Sequence, residues 1–254
     1  NILGGLVKKD SGKVIICGID ADKKPKETRR RIGIVPQELN IDPFFTPFEL
    51  LELQAGLYGV RKKDRKTHEI LEKVSLIDQK DAYARTLSGG MRRRLLVAKA
   101  LVHNPDVIIL DEPTAGVDIE LRQNLWNYIR ELTNNGTAVC LTTHYLEEAE
   151  SLCDYITIIN DGKILKSDTK NNLLNLIGKK TVSFILDTNN IKIPDLLKKF
   201  NPVIEKNKLL LKYDKNKIKL KEIINILNNN QISFNEINTY ESDLKDVFIN
   251  LIKK

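Results

Sequence analysis

The sequence predicts an α/β fold, with a buried parallel sheet and a helical subdomain, followed by a small α+β domain. Three observations predict it. First, Val107-Ile108-Ile109-Leu110 is a run of four large apolar residues ending on Asp111-Glu112. Such a run fits a central parallel strand covered on both faces, and open α/β sheets bind their ligands at the carboxyl end, where the two acids fall. Second, Leu87-Ser88-Gly89-Gly90-Met91 opens a helix. Ser88 is a good N-cap, and the glycines let a backbone approach a ligand closely. A helix start presents N–H groups and the positive end of the macrodipole, which suits an anion. The helix start therefore suits phosphate, and the acids suit Mg²⁺ and an activated water. Third, from Lys179 the composition shifts to Lys, Asn and Ile, and strands and helices follow in the order βαββαβ plus a helix, as in ferredoxin-like domains.

The bulk properties narrow the class. A chain of 254 residues allows one large or two small domains and can bury a sizeable core. No apolar run reaches the length of a membrane span and no signal peptide is visible, so a cytosolic chain is expected. Cys17, Cys140 and Cys153 are widely spaced and lie in or beside apolar segments, which predicts free buried thiols in a reducing compartment. The net charge of +7 comes largely from Lys scattered through the Asn-rich final third. A solvated surface is the first reading. Attraction to an anionic inner leaflet is the second, at about 1 kcal/mol per basic residue near such a surface. No interleaved aromatic pattern supports nucleic-acid binding.

Taken in order, residues 2–7 read as the end of a helix, stopped by the turn Lys8-Lys9-Asp10-Ser11-Gly12. Residues 13–17 read as a strand, 18–20 as a turn, 23–30 as polar and exposed, and 31–35 as a strand stopped by Pro36. Gln37 follows on a loop, where its amide could reach a metal-bound water. Residues 40–47 form a loop rich in Phe and Pro, and exposed aromatics such as Phe44 and Phe45 suit an interaction surface. Apolar periodicity predicts helices over 48–59 and 64–76, within a helical subdomain at about 47–103. The helix after Ser88 carries Arg92-Arg93-Arg94 in its first turn, where the dipole disfavours cations. A nearby anion and a solvated basic face are the two readings of that run. The helix runs to about His103, read as a cation at its C-terminus. Helix 119–134 is capped by Asp118, and strand 137–142 is buried, with His144 just past its end. A short helix over 145–152, a hairpin over 154–166 turning at Asp161-Gly162, and a helix over 169–177 close the first domain at Gly178. Beyond it follow strand 180–187, helix 193–199, strands 202–206 and 208–213, helix 217–228, strand 231–239 and helix 242–252.

These motifs together resemble the ATPase subunits of ATP-binding cassette (ABC) transporters. Leu87–Met91 resembles the ABC signature and Val107–Glu112 the Walker B strand. Gln37 resembles the Q-loop, Ala115-Gly116-Val117-Asp118 the D-loop and His144 the H-loop. The Met after Ser-Gly-Gly, the Arg run and the tail Glu241–Phe248 resemble the ABC-2 type exporter branch found in bacteria. The likeness is strong over about residues 1–170. It implies a P-loop NTPase-like core over 1–178 and a regulatory or dimerisation domain over 179–254. It also implies ATP and Mg²⁺ as cofactors, with Asp111 and Gln37 on the metal, Glu112 as general base and His144 holding the γ-phosphate and water. Ser88, Gly89, Gly90, Gln37 and Asp118 would contact nucleotide. The implied partners are an ABC-2 type permease, met by the loop after Gln37, and a second ATPase subunit, expected to be a second copy. The implied location is the cytoplasmic face of the cell membrane.

The family's Walker A pattern, G-x-x-x-x-G-K-[ST], occurs nowhere in the 254 residues. Asn1–Leu6 looks like the middle of the helix that follows that loop, so the expectation is an N-terminally shortened ATPase that does not hydrolyse ATP alone. The alternative is a non-hydrolysing regulatory or partner subunit supplying only the signature half-site. A chromosome or DNA-repair ATPase is disfavoured, because about fifty residues without sustained heptads separate Gln37 from the signature.

Overall fold

The computed structural model describes residues 2–5, 7–176, 179–187, 193–215, 217–241 and 243–252. They fall into two compact units, Asn1–Tyr145 and Leu146–Lys254, taken separately below.

The first unit begins with a turn, not a helix end: Gly5 N–H donates to Ile2 O at 3.0 Å, and Gly5 has φ +73°. β1 (Ile15–Ile16) and β2 (Ile19–Asp20) form a hairpin. Its two-residue turn is Cys17-Gly18, at φ 49° and 76°, as a two-residue loop of this hand requires. The expected turn at 18–20 thus moves one residue back, because Cys17 itself adopts the left-handed conformation. α1 (Pro25–Arg31) occupies the segment read as polar and exposed. Pro25 presets its start, and Glu27 and Arg29–Arg31 match the dipole. Thr28 is its one buried residue, so no apolar stripe announces it in the sequence. β3 (Ile32–Val35) then ends at Pro36.

α2 (Pro47–Leu57) starts with a reciprocal cap: Glu49 N–H donates to Thr46 Oγ1 at 3.2 Å, and Thr46 N–H donates to a Glu49 carboxylate oxygen at 2.9 Å. α3 (Thr67–Lys73) is shorter than the periodicity suggests. α4 (Gly89–Leu101), β4 (Val107–Asp111), α5 (Ile119–Asn134) and β5 (Ala138–Thr142) follow. Among the described residues, β3, β4 and β5 form a parallel sheet in that order, with Val35 beside Leu110 and Leu110 beside Leu141. β4 is central, as expected, but it alternates: Ile108 and Leu110 are buried while Val107 and Ile109 are half-buried. Gly33 sets the distance from β3 to α4, since a Cβ there would lie 2.4 Å from Ala100 O.

Three expectations of burial are corrected. β5 alternates exposed and half-buried residues; among the described residues it is paired on one side, to β4. Cys17 and Cys140 are exposed and Cys153 is half-buried, because Cys17 sits in the turn and Cys140 on the open strand. Arg93 and Arg94 are buried, 6% and 3% exposed, and Arg92 is half-buried, so Arg93 and Arg94 are neither a solvated face nor an open anion site. Backbone carbonyls of neighbouring segments accept from the terminal nitrogens of both guanidinium groups, while the Nε of each is buried without a hydrogen-bond partner among the described residues.

His103 is likewise not a cation at a helix end. It stacks on Tyr58 with ring centroids 3.7 Å apart and planes at 9°, and its Nε2–H donates to Ile32 O at 3.1 Å. Burial pushes its pKa below the ordinary value, against a smaller opposite effect of the Ile32 bond. Its Nδ1 is buried without a partner, so a second proton would have no acceptor. The unfolded chain therefore takes up a proton on His103 at higher pH than the folded one. Stability from this group is fully present above about pH 6.5 and is lost as pH falls toward the depressed folded pKa. His103→Phe keeps the stack. It is expected to flatten the urea-unfolding free energy below about pH 6.5, where the parent chain slopes downward.

The second unit comprises α6 (Leu146–Leu152), β6 (Tyr155–Asn160), β7 (Lys163–Thr169), α7 (Lys170–Asn175), β8 (Lys179–Leu186), α8 (Asp195–Lys198), β9 (Val203–Glu205), β10 (Lys208–Asp214), α9 (Leu220–Asn229), β11 (Phe234–Glu241) and α10 (Leu244–Ile252). β6 and β7 form the expected hairpin across Asp161-Gly162, at φ 48° and 71°. β11, β8, β10 and β9 pair in that order, all antiparallel, and the elements follow one another as βαββαβ. One face of this sheet carries Val182, Phe184, Leu209 and Leu211, packed with Ile223 and Leu227 of α9. A second small core joins Ile158 and Leu173 to Leu244 and Val247 of α10. The expected domain end at Gly178 and the helix start at Ser242 lie outside the described residues.

Candidate nucleotide-binding site

The parallel register of the sheet decides where the acids stand. β3, β4 and β5 run parallel, so Asp111 ends a strand, and Gln37, Glu112 and His144 follow the carboxyl ends of neighbouring strands. Asp111 is paired in register with Thr142, and the Thr142 hydroxyl donates to Asp111 Oδ1. That bond fixes one carboxylate oxygen and leaves the other to a ligand. Glu112 has φ 49°, a left-handed conformation uncommon for a residue of this size. Its N–H donates to Thr142 O at 2.9 Å, tying it to β5. His144 Nδ1–H donates to Glu112 Oε1 at 3.0 Å. The carboxylate is a quarter exposed and the imidazole more than half exposed, so both are open to a ligand.

The signature helix supplies a second group of sites. Ser88 Oγ accepts the Met91 N–H at 3.2 Å, and Ser88 O accepts the Arg92 N–H at 2.9 Å. The Gly89 and Gly90 amides lie in the first turn, outside the helical ladder. Gly89 has open space around it. A Cβ on Gly90 would lie 3.0 Å from Gly116 O and 3.5 Å from Val117 Cα. Gly90 is therefore packed against the loop that leads to Asp118. Asp118 is exposed and caps α5, its Oδ1 accepting the Leu121 N–H at 2.9 Å. Among the described residues, no hydrogen bond joins Ser88 or Gly89 to Asp111 or Glu112. The structure thus gathers Gln37, Asp111, Glu112 and His144 at one sheet end, and Ser88, Gly89 and Gly90 with the Gly116–Asp118 loop at another place.

Three contributors were not legible as site residues. Thr142 orients Asp111, and its signal was its place opposite Asp111 on the next strand. Arg122 lies with its guanidinium 4.9 Å from the Tyr145 ring and donates to Val117 O at 3.4 Å; Tyr145 in turn lies against His144. Arg93 bonds the backbone at Gln37, and no sequence signal marks a carbonyl as its partner.

Comparison with known proteins shows what the chain is similar to. A family model described as ABC transporter matches residues 1–115. The Nod factor export ATP-binding protein I of Burkholderia thailandensis is 41% identical over 164 residues, 64% of this chain and 54% of that protein. Over those residues the chain resembles the ABC transporter family. The linearmycin resistance ATP-binding protein of Bacillus subtilis is 36% identical over 72% of the chain and 59% of its own length. The daunorubicin resistance ATP-binding protein of Streptomyces coeruleorubidus is 38% identical over 78% and 62%. The chain therefore spans little more than half of the curated relatives it matches. A solved ATP-binding subunit of an ABC transporter superposes with a TM-score of 0.64 at 24% identity, over 70% of this chain and 75% of that one. A dimeric ATP-binding cassette in a post-hydrolysis state, bound to ADP and Pi, gives 0.59 at 28%, over 66% and 78%. Among the described residues, no helix is long and apolar enough to cross a membrane.

Proposed function

We propose that the chain is the ATP-binding part of an ABC-2 type exporter, working on the cytoplasmic face of the membrane with a permease and a second ATPase subunit. The observation that carries this reading is the shared sheet end of Gln37, Asp111, Glu112 and His144. Oxygen donors at such a place suit Mg²⁺, which favours carboxylate, amide oxygen and water. Asp111 and Gln37 would hold the ion, and when bound it neutralises charge on the phosphate oxygens. Glu112 accepts the proton of the attacking water, and His144 orients that carboxylate and meets the γ-phosphate. Ser88, Gly89 and Gly90 present their hydroxyl and amides to a nucleotide held by the other subunit, with Asp118 beside it. Residues 1–178 carry these functions. Residues 179–254 form the ferredoxin-like domain that supports dimerisation or regulation.

A second reading is a subunit that supplies the signature half-site alone, carried by the Ser88 cap and the open space at Gly89. One experiment addresses both. The chain is mixed with an intact ABC ATPase subunit whose own signature has been inactivated. Restored ATP turnover supports the composite site, and no turnover at saturating chain rejects it. Turnover by the chain alone would reject the half-site reading.

The loop after Gln37 is our proposed permease contact. Phe44 is 70% exposed, and the Arg85 guanidinium lies 5.9 Å from its ring and 5.1 Å from that of Tyr83. Backbone bonds from Ala84 to Phe45 O and from Arg85 to Pro43 O hold these segments together. Aromatic and Arg side chains of this kind dominate interfaces. Phe44→Ala with Arg85→Ala is expected to weaken permease binding by about 30-fold or more without shifting the melting temperature. Unchanged affinity in a pull-down titration would reject the contact.

A further inference from the structure

We propose that Arg93 is a positioning residue that locks the backbone at Gln37 to the signature helix, so that the two sites move as one. The proposal rests on reading Gln37 as a nucleotide- or metal-sensing residue. Arg93 Nη1–H donates to Pro36 O at 2.8 Å and Nη2–H to Gln37 O at 2.6 Å. Both bonds cross from α4 to the end of β3, and Arg93 is 6% exposed. A charged donor to a neutral carbonyl makes one of the stronger hydrogen bonds, and a planar fork places two at once. The Gln37 side chain is exposed, so its carbonyl is held while its amide is left to a ligand.

The neighbouring arginine shows that the arrangement is specific. Arg94 donates to Val74 O at 2.5 Å and Ser75 O at 2.6 Å, inside the helical subdomain. It holds that subdomain together and does not touch the loop at Gln37. Arg93 alone of the two reaches the sheet. Gly33 brings the same strand close against α4 four residues before Gln37, so strand, loop start and signature helix form one body. Burial pushes the Arg93 guanidinium down, and the Glu112 and Asp111 carboxylates oppose that shift. The same cation is therefore within electrostatic reach of the two acids.

A nitroxide at Gln37→Cys, in a chain whose native cysteines are replaced by Ser, reports this directly. Arg93→Met is expected to shorten the label's rotational correlation time several-fold. Arg93→Lys, able to reach one carbonyl, is expected to give an intermediate value, and it carries the test if the Met variant does not fold. Arg94→Met is expected to lower the melting temperature while leaving the label's spectrum at 10 °C unchanged. A spectrum unaltered by both Arg93 substitutions overturns the proposal. Equal loosening by Arg94→Met also overturns it, because the effect would then be general destabilisation. The outcome is separable from the ATPase reading. A mobilised label with failed rescue of the signature-inactive subunit leaves the lock and removes the function; rescue with an unaltered label does the reverse.

Discussion

Gly90→Val is expected to abolish the chain's rescue of a signature-inactive ATPase subunit, lowering the restored turnover by about 10²–10³-fold, the cost typical of losing a donor to developing charge. Two effects combine. The side chain occupies the surface that faces the nucleotide, and its Cβ meets Gly116 O at 3.0 Å and Val117 Cα at 3.5 Å. Both are backbone atoms, so the loop carrying Asp118 has to shift. Gly89→Ala meets no neighbour within 4 Å and should leave the melting temperature unchanged. Any loss of rescue by Gly89→Ala then reports the ligand-facing surface alone. A Gly90→Val chain that rescues like the parent would remove the signature from the mechanism.

Glu112→Gln separates the two halves of the site in a complementary way. In the rescue mixture the reacting nucleotide sits with the partner's carboxylates, so this substitution should leave rescue intact. In a longer form of the chain that carries a phosphate loop, the same substitution should lower ATP turnover by about 10²–10⁴-fold, the range for a lost general base. ATP binding, measured by equilibrium titration, should stay within a few-fold of the parent, because the neutral amide keeps the carboxylate's shape. His144 donates to Glu112 at 3.0 Å and can donate to the amide oxygen as well. Turnover within a few-fold of the parent in the longer chain would show that Glu112 is not the base.

The sequence made some parts of this molecule legible and hid others for physical reasons. Strand β4, the Ser88 cap, the Asp118 cap and the Asp161-Gly162 turn were readable, because each depends on a local pattern of residue types. The order of elements in the last third was readable from alternating apolar periods. α1 was hidden, because a helix burying only Thr28 carries no stripe. The burial of Arg93 and Arg94 was hidden because their partners are carbonyls, which every residue possesses. β5 read as buried, since composition reports a strand's apolarity and not which of its edges is paired. Within the candidate site, the residue types that carry chemistry stood out. Thr142 and Arg93, which hold other residues in place, had no chemical signature of their own.

The left-handed backbone of Glu112 gives the enzyme reading an evolutionary consequence. That conformation costs a large side chain about 1 kcal/mol, much of which Asn or Gly escapes. Glu112→Asn should therefore leave the fold as stable as before, or more so, while shortening the carboxylate's reach and removing its charge. A lineage of such chains released from ATP turnover would meet no thermodynamic barrier to losing this side chain. Keeping glutamate at position 112 opposes the drift that stability alone would favour.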